Sequence, residues 1–327
     1  MIKLLQVCNV GNVVGGTAAC AWSITKAFPD CKHHILFFSA MTEETQTAFA
    51  HCRKEAVSKL DGKIVRRIAP DIVIFHNTPR SKIREKLPCP TIQYLHSKIT
   101  PAFSDLTIAC SNWLANRYPD TPEVCLQGVP RPISPEKMES RFLKGELTIG
   151  RICTPQLRKW PEESIAFYNF LSKEHPKANW EFVGCPETMR LQLRDACRNR
   201  ATFLQGGWLS RSQLWRWDAM LYHHPHLTES FGRTVAEAMR AGCIPVVDNQ
   251  GGFREQIVEG SGFLCLSPEE FSQAVSILKT PNVRCVRSQY CRKHADSLFS
   301  FKVFRKNLLH FFESLLRSKS ALRAITE

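Results

Sequence analysis

The chain has 327 residues, about the length of two domains of ~100 to 200 residues each. Hydrophobic residues make up 43% and charged residues 23%, a composition that excludes a disordered, collagen-like or low-complexity chain. The net charge is +14, and the excess is uneven: 19 basic against 12 acidic residues lie in 1–145, 15 against 15 in 146–283, and 10 against 3 in 284–327. The two basic stretches predict a polyanionic partner such as phosphate, an acidic membrane or nucleic acid, beside the simpler interpretation of a solvated basic face.

The sequence shows no apolar run of the ~20 residues needed to span a bilayer. Lys3, Gln6 and Asn9 interrupt the first ten residues, so no signal peptide is visible there. The fourteen cysteines are scattered singly and form no CxxC pair. We therefore expect a cytoplasmic protein in a reducing compartment, in which most thiols pack as small hydrophobic groups.

The first 110 residues alternate short apolar runs with helical stretches, the pattern of βαβ units. The strands read as continuously apolar, which is typical of a parallel sheet covered on both faces. The predicted strands are 3–8, 35–38, 72–75, 91–95 and 106–109, and the predicted helices are 18–28 and 112–118, the latter capped by Ser111.

The chain then becomes irregular around residues 128–145, where three prolines lie close together, and a second alternation of strands and helices follows. Its predicted strands are 147–151, 180–183, 201–204, 219–222, 244–247 and 263–266, and its predicted helices are 162–173, 187–198, 233–241, 268–279 and 301–316. The fold class predicted is α/β with two doubly wound parallel-sheet domains, at 1–140 and 141–299, and with a C-terminal helix in 300–327 that packs back on the first domain.

Two carboxylates, Glu229 and Glu237, follow one of these predicted strands. Glu229 is expected in the loop after the strand, with Ser230 and Gly232 at the start of the next helix and Glu237 on that helix. A helix N-terminus offers unpaired N–H groups and a positive dipole end, so it forms a natural cradle for phosphate. Glu237 would then accept hydrogen bonds from a ribose, and Glu229 from a sugar.

This stretch resembles the E-x7-E region of the retaining glycosyltransferases of family 4, the glycosyl transferases group 1, which have the GT-B fold of two Rossmann-like domains facing a central cleft. Other segments resemble that family in the same order along the chain: a glycine loop, a strand ending in a histidine, a serine-capped helix, a linker and a GR…K segment. They are, in that order, Gly15-Gly16, Ile92 to His96, Thr107 to Ser111, Gln127-Gly128-Val129, and Gly150-Arg151 with Lys159.

The resemblance implies transfer of a sugar, with retention, from a nucleotide-diphosphate sugar to an acceptor hydroxyl, with no cofactor and no metal ion. It implies catalytic roles for His96, Arg151, Lys159 and Glu229. It implies donor binding by Gly15, Gly16, Arg158, Gly184, Ser230, Phe231, Gly232 and Glu237. Whether Arg158 or Lys159 fills the phosphate-binding lysine role stays open, and each residue taken singly also fits a structural role.

The histidine-rich segment His223-His224-Pro225-His226 is expected to bind no metal, because a proline interrupts it and no acidic or cysteine partner has a suitable spacing. The nearby Trp208, Trp215 and Trp217 are expected to pack a helix.

For the acceptor side, we expect a glycan or lipid-linked acceptor and docking on an anionic membrane surface, which would place the protein peripherally on the inner face of the membrane. The candidate basic contributors are Arg53, Lys54, Lys59, Lys63, Arg66, Arg67, Arg80, Lys82, Arg84, Lys86, Arg305 and Lys306. The alternatives are a GT-B nucleotide-sugar epimerase and, with less support, a basic nucleic-acid-binding protein, for which no zinc-finger, RNP or helix-turn-helix signature exists in the sequence.

Overall fold

A computed structural model describes residues 1–83, 85–134 and 145–326, with side chains up to residue 317. The chain divides into two compact units: residues 1–129 together with 298–327 form the first, and residues 130–297 form the second. Each unit contains one parallel sheet covered by helices. This architecture confirms the predicted class of two Rossmann-like α/β domains.

The first unit is built on a seven-stranded sheet with the order β3-β2-β1-β4-β5-β6-β7, in which every paired strand is parallel. Its elements are β1 (Lys3–Cys8), α1 (Gly16–Ala27), β2 (Lys32–Phe37), α2 (Glu43–Ala48), β3 (Arg53–Ala56), α3 (Gly62–Ile68), β4 (Ile72–His76), β5 (Thr91–Leu95), β6 (Leu106–Ala109), α4 (Asn112–Ala115), β7 (Glu123–Val124) and the C-terminal α11 (Phe301–Thr326).

The second unit is built on a six-stranded parallel sheet with the order β10-β9-β8-β11-β12-β13. Its elements are β8 (Thr148–Ile152), α5 (Glu163–Glu174), β9 (Asn179–Val183), α6 (Glu187–Ala196), β10 (Ala201–Leu204), β11 (Ala219–Tyr222), α7 (Arg233–Arg240), β12 (Ile244–Asp248), α8 (Phe253–Gln256), β13 (Phe263–Cys265), α9 (Pro268–Leu278) and α10 (Pro281–Phe299).

The helix α11 packs within the first unit through an apolar face. Phe312 contacts Phe28 with ring centroids 5.2 Å apart. Arg305 forms a two-pronged ion pair with Asp30, with bonds of 2.5 and 2.9 Å. A side chain at Gly128 would meet Phe304 at 2.5 Å, so a glycine is required where the chain passes under this helix.

The segment after residue 129 is held by the second unit, because the Trp215 indole donates to the Pro132 carbonyl and Arg131 pairs with Asp296. The predicted boundary between residues 140 and 141 lies outside the described residues. Four of the ten basic residues in 284–327 belong to the second unit, so the basic C-terminal stretch is divided between the units. One of these four, Arg284, is buried and pairs with Asp218, so it adds no surface charge.

Among the described residues, no helix combines the length and apolar content that crossing a lipid bilayer requires. Eleven of the fourteen cysteines are buried and all fourteen are free thiols, as expected of residues that pack in the cores.

Candidate functional site

The second unit brings Lys159, Glu229 and Tyr222 together beyond the carboxyl ends of neighbouring strands. The Lys159 ammonium forms an ion pair with Oε1 of Glu229, and the Tyr222 hydroxyl donates to the same oxygen at 2.8 Å. Burial and the Glu229 charge raise the pKa of Tyr222, so the hydroxyl keeps its proton and donates. The Lys159 and Glu229 side chains are 17% and 24% exposed, so this charged cluster remains reachable from solvent.

Two glycines fix the loop that carries Glu229. A side chain at Gly251, whose φ is +59°, would meet the Glu229 carbonyl at 2.4 Å, and one at Gly252 would meet the Ser230 carbonyl at the same distance. The Gly252 N–H donates to the Glu229 carbonyl at 2.9 Å. The glycine pair therefore lies directly under the loop that presents the carboxylate.

The helix α7 begins at this loop. Its N-cap Gly232 has φ +82°, and a side chain there would meet the Phe253 ring at 2.3 Å. Ser230 is half-buried, and Phe231 is buried with its carbonyl bonded to the Gln256 amide. The predicted phosphate cradle is thus a glycine-capped helix start with no side-chain cap.

Glu237 lies on α7 and is fully buried. Arg211 donates to its Oε2 at 2.7 Å, and Arg233 lies 3.2 Å from its Oε1. The Arg211 guanidinium also lies 4.6 Å from the centre of the Trp208 ring. Two arginines therefore balance this carboxylate, and the sequence reasoning had identified neither.

Arg151 on β8 is 1% exposed. Its guanidinium donates to the carbonyls of His223 and Lys159, both at 2.8 Å, and lies 4.9 and 5.1 Å from the ring centres of Trp160 and Tyr222. Arg151 thus braces the two loops that carry Lys159 and Glu229. The preceding Gly150 is needed for packing, because a side chain there would overlap the Trp217 indole at 2.0 Å.

Arg158 is exposed and its guanidinium donates to Gln156 at 3.0 Å, while its carbonyl accepts from the His224 ring at 2.9 Å. The structure therefore brings Lys159, not Arg158, to Glu229. Gly184 has φ +75°, and a side chain there would meet the Cys153 carbonyl at 2.1 Å. This glycine lets the chain after β9 pass close to the loop after β8.

The three histidines of the 223–226 segment have different partners. His223 bonds to Asp248 at 2.6 Å, His224 to the Arg158 carbonyl, and His226 to Glu163 at 2.8 Å. His224 also accepts from the N–H groups of residues 226 and 227, which fixes its tautomer as Nε2–H. These contacts give the segment a structural role in shaping the loop before Glu229.

In the first unit, the glycine pair follows β1. Gly15 is the N-cap of α1, with its N–H donating to the Asn12 carbonyl at 3.1 Å, and Gly16 is the first helical residue. Within the part of the chain that the structure describes, a side chain at Gly16 would meet no atom within 4 Å. The helix start is therefore open on this side, as a site for an approaching anion requires.

His96, which follows β5, takes part in a chain of four side chains. Its Nε2 lies 3.1 Å from Nδ1 of the buried His76, whose Nε2 lies 2.9 Å from the Gln6 amide oxygen. The Gln127 amide lies 3.0 Å from Nδ1 of His96. Burial lowers the pKa of His76 to about 3, so this ring is neutral. With Gln6 accepting and Gln127 donating, both rings are Nε2–H tautomers.

The partners that sequence reasoning missed are Tyr222, Arg211, Arg233, His76 and Gln6. Tyr222 ends the predicted strand 219–222, and His76 directly follows the predicted strand 72–75. Gln6 is a polar residue inside an apolar predicted strand. The two arginines carry no signal that the sequence reasoning used.

The two units, each built on a parallel sheet covered by helices, have the GT-B fold. Residues 156–293 match the family model described as glycosyl transferases group 1. The matched segment lies within the second unit, residues 130–297.

Solved structures with this fold include HepE of Anabaena in complex with UDP, which is 17% identical, has a TM-score of 0.77 and aligns with 96% of this chain and 100% of its own. Another is sucrose-phosphate synthase of Thermosynechococcus elongatus, which is 12% identical and has a TM-score of 0.75. That alignment covers 97% of this chain and 100% of the synthase chain. A curated relative, the GDP-Man:Man(3)GlcNAc(2)-PP-Dol alpha-1,2-mannosyltransferase of Dictyostelium discoideum, is 30% identical over 95 residues, which are 28% of this chain. The match spans 19% of that relative's length.

Proposed function

We propose that this protein is a retaining glycosyltransferase that moves a sugar from a nucleotide-diphosphate sugar to an acceptor hydroxyl, without a divalent ion. The observation that carries the proposal is the cluster of Lys159, Tyr222 and Glu229 beside the start of α7, with Glu237 on the same helix. The UDP and UDP-glucose complexes of HepE and the GDP-mannose donor in the name of the Dictyostelium relative support this class of donor.

Breaking the bond between the sugar and the diphosphate leaves negative charge on the phosphate. Positive groups and N–H dipoles fixed in advance around that charge are usually the largest contribution to catalysis. Lys159 has three N–H donors, so it can hold Glu229 and a phosphate oxygen together. The start of α7 supplies further N–H groups, and the buried Arg151 acts by holding both loops and by its charge.

Glu229 is proposed to bind a sugar hydroxyl, not to attack the sugar. Lys159 and Tyr222 both occupy Oε1, which leaves Oε2 as the acceptor for a hydroxyl group. Retention then follows from attack on the same face as the leaving group, with the departing phosphate taking the proton from the acceptor. His96 is proposed to position the sugar. Glu237 is proposed to accept from the ribose in exchange for the Arg211 contact that occupies its Oε2 in the absence of donor.

The test is turnover of UDP-sugars and GDP-sugars against an array of glycan acceptors, with and without EDTA. We expect donor consumption that depends on the acceptor, a product with the anomeric configuration of the donor, and no loss of rate with EDTA. Epimerised donor in the absence of acceptor would instead identify an epimerase. Inverted product would contradict the retaining mechanism.

The acceptor is proposed to be a glycan or a lipid-linked glycan, reached from an anionic membrane surface. Several basic residues of the first unit are exposed, among them Lys59, Lys63 and Arg66, while Arg67 pairs with Glu55. Arg84 lies outside the described residues. Each basic group near an anionic surface contributes about 1 kcal/mol. Co-sedimentation with vesicles containing anionic lipid, over a salt series, tests this docking, and absence of binding at low salt would contradict it.

A further inference from the structure

Three side chains with metal-binding atoms converge in the first unit. Cys20 lies on α1, His76 ends β4, and His96 follows β5. One ligand atom of each lies within 4.8 Å of the other two, and Nδ1 of His76 is 3.1 Å from Nε2 of His96. Cys20 and His76 are fully buried, whereas His96 is partly exposed. The cluster is therefore closed to solvent at Cys20 and His76 and reachable from solvent at His96.

We propose that Cys20, His76 and His96 bind one thiophilic d10 ion, with Zn²⁺ as its representative. A thiolate with two neutral imidazoles is a typical zinc donor set, and three protein ligands leave a fourth position for water. Zinc–nitrogen bonds of about 2.0 to 2.1 Å and a zinc–sulfur bond of about 2.3 Å place tetrahedral ligand atoms roughly 3.3 to 3.6 Å apart. The distance of 3.1 Å between the two histidine nitrogens is slightly below this range, and all three ligand atoms lie within 4.8 Å of one another, so side-chain shifts of about 1 Å complete the site.

The surroundings of the two rings support this assignment. A metal-bound histidine almost always donates its second N–H to an oxygen that fixes the ring. His76 already does so, because its Nε2 lies 2.9 Å from the Gln6 amide oxygen. His96 has the Gln127 amide 3.0 Å from its Nδ1, and a half-turn of that amide presents its oxygen instead of its nitrogen. Both outer partners are therefore in place.

The protons that zinc binding displaces can be counted. The His96 proton moves from Nε2 to Nδ1, and the Nδ1–H group then donates a hydrogen bond to the amide oxygen of Gln127. Nε2 of His96 is thereby free to become a zinc ligand. The Cys20 thiol loses one proton to solvent and becomes the thiolate. The site then carries one zinc ion and one thiolate with a net charge of +1, and one proton is released for each ion bound. If His96 positions the donor sugar, as proposed above, an ion at this site competes with the sugar.

The experiment uses the full chain without donor. Zinc is titrated against a chromophoric chelator, and Co²⁺ is added separately, since a cobalt–thiolate bond gives a near-ultraviolet charge-transfer band and a tetrahedral cobalt site gives intense visible bands. The variants are Cys20→Ser and His96→Gln, with Cys110→Ser as the matched control, because Cys110 is an equally buried thiol of the same unit.

We expect one ion per chain, a cobalt–thiolate band, loss of that band in Cys20→Ser, and at least a 100-fold weaker affinity in both Cys20→Ser and His96→Gln, with Cys110→Ser unchanged. Absence of a one-to-one site, or a thiolate band that persists in Cys20→Ser, would overturn the proposal. If Cys20→Ser fails to fold, His96→Gln decides, because its side chain is partly exposed. Donor binding measured on the same samples distinguishes failure of this site from failure of the proposed function.

Discussion

The hydroxyl of Tyr222 is a small group on which the proposed role of Glu229 depends. In Tyr222→Phe one oxygen is lost, while the ring keeps its contacts with Phe253, at 5.4 Å between centroids, and with the Arg151 guanidinium at 5.1 Å. A hydrogen bond to a charged group contributes about 1.5 to 3 kcal/mol. Because Lys159 still holds the same carboxylate oxygen, we expect a loss near the lower end, about 1.5 kcal/mol.

That loss corresponds to about a tenfold lower kcat/KM, since about 1.4 kcal/mol is a factor of ten. The assay is steady-state transfer with the donor identified among the UDP-sugars and GDP-sugars, with thermal unfolding measured on the same samples. The control is Tyr290→Phe, the same deletion at a half-exposed ring of the second unit. Wild-type kcat/KM in Tyr222→Phe, or an equal fall in Tyr290→Phe, would refute the assigned role.

Three further predictions concern the second unit. Arg151→Lys removes the forked guanidinium that donates to two backbone carbonyls. This substitution is expected to lower the free energy of unfolding by about 2 kcal/mol, measured by denaturant unfolding, and to lower kcat/KM, measured by steady-state kinetics. Gly232→Ala forces a side chain into left-handed backbone against Phe253 and is expected to cost about 2 to 4 kcal/mol of stability. Its control is Gly145→Ala, where a side chain meets no atom of the described residues within 4 Å. Burial, and then the Lys279 charge, lower the pKa of His175 to about 4. Between pH 4 and 6.5 the unfolded chain thus binds one more proton at this residue, so stability rises with pH by up to about 1.4 kcal/mol per unit. His175→Gln should lose that slope and the exposed His310→Gln should keep it, and an unchanged slope in His175→Gln would contradict the pKa.

The buried strands could be predicted from the sequence because burial on both faces leaves continuous apolar runs. The bounds of β1, β5, β6, β10 and β11 agree with the prediction residue for residue. The edge strands β3 and β7 were missed, since β3 reads RKEA and β7 has two residues, one of them a glutamate. Both are edge strands with little apolar signal, unlike the edge strand β10, which reads ATFL and was predicted.

The helix α10 was missed because its buried face is partly polar. Arg284, Ser288 and Cys291 are all buried there, Arg284 against Asp218 and Ser288 against the Gly242 carbonyl. Periodicity of apolar residues identifies a helix when its inner face is apolar, and here that face is satisfied by hydrogen bonds and an ion pair.

In the site, the loop and helix positions of Glu229 and Glu237 could be predicted because both lie within one strand–loop–helix segment. The partners of these carboxylates could not, since Lys159 and Arg211 are 70 and 26 residues away in the chain. The burial of Arg151 could not be predicted either, because an arginine side chain is usually exposed. Its two carbonyl partners lie on separate loops that come together only in the folded protein.

The proposed binding of the donor diphosphate by Lys159 is tested by isothermal titration of UDP and of GDP into the wild-type chain, Lys159→Ala and Lys173→Ala. Lys173 is an exposed lysine on α5 of the same unit and serves as the control. We expect a one-to-one site for at least one nucleotide, with binding at least tenfold weaker in Lys159→Ala and unchanged in Lys173→Ala. No binding of either nucleotide, or wild-type affinity in Lys159→Ala, would contradict it.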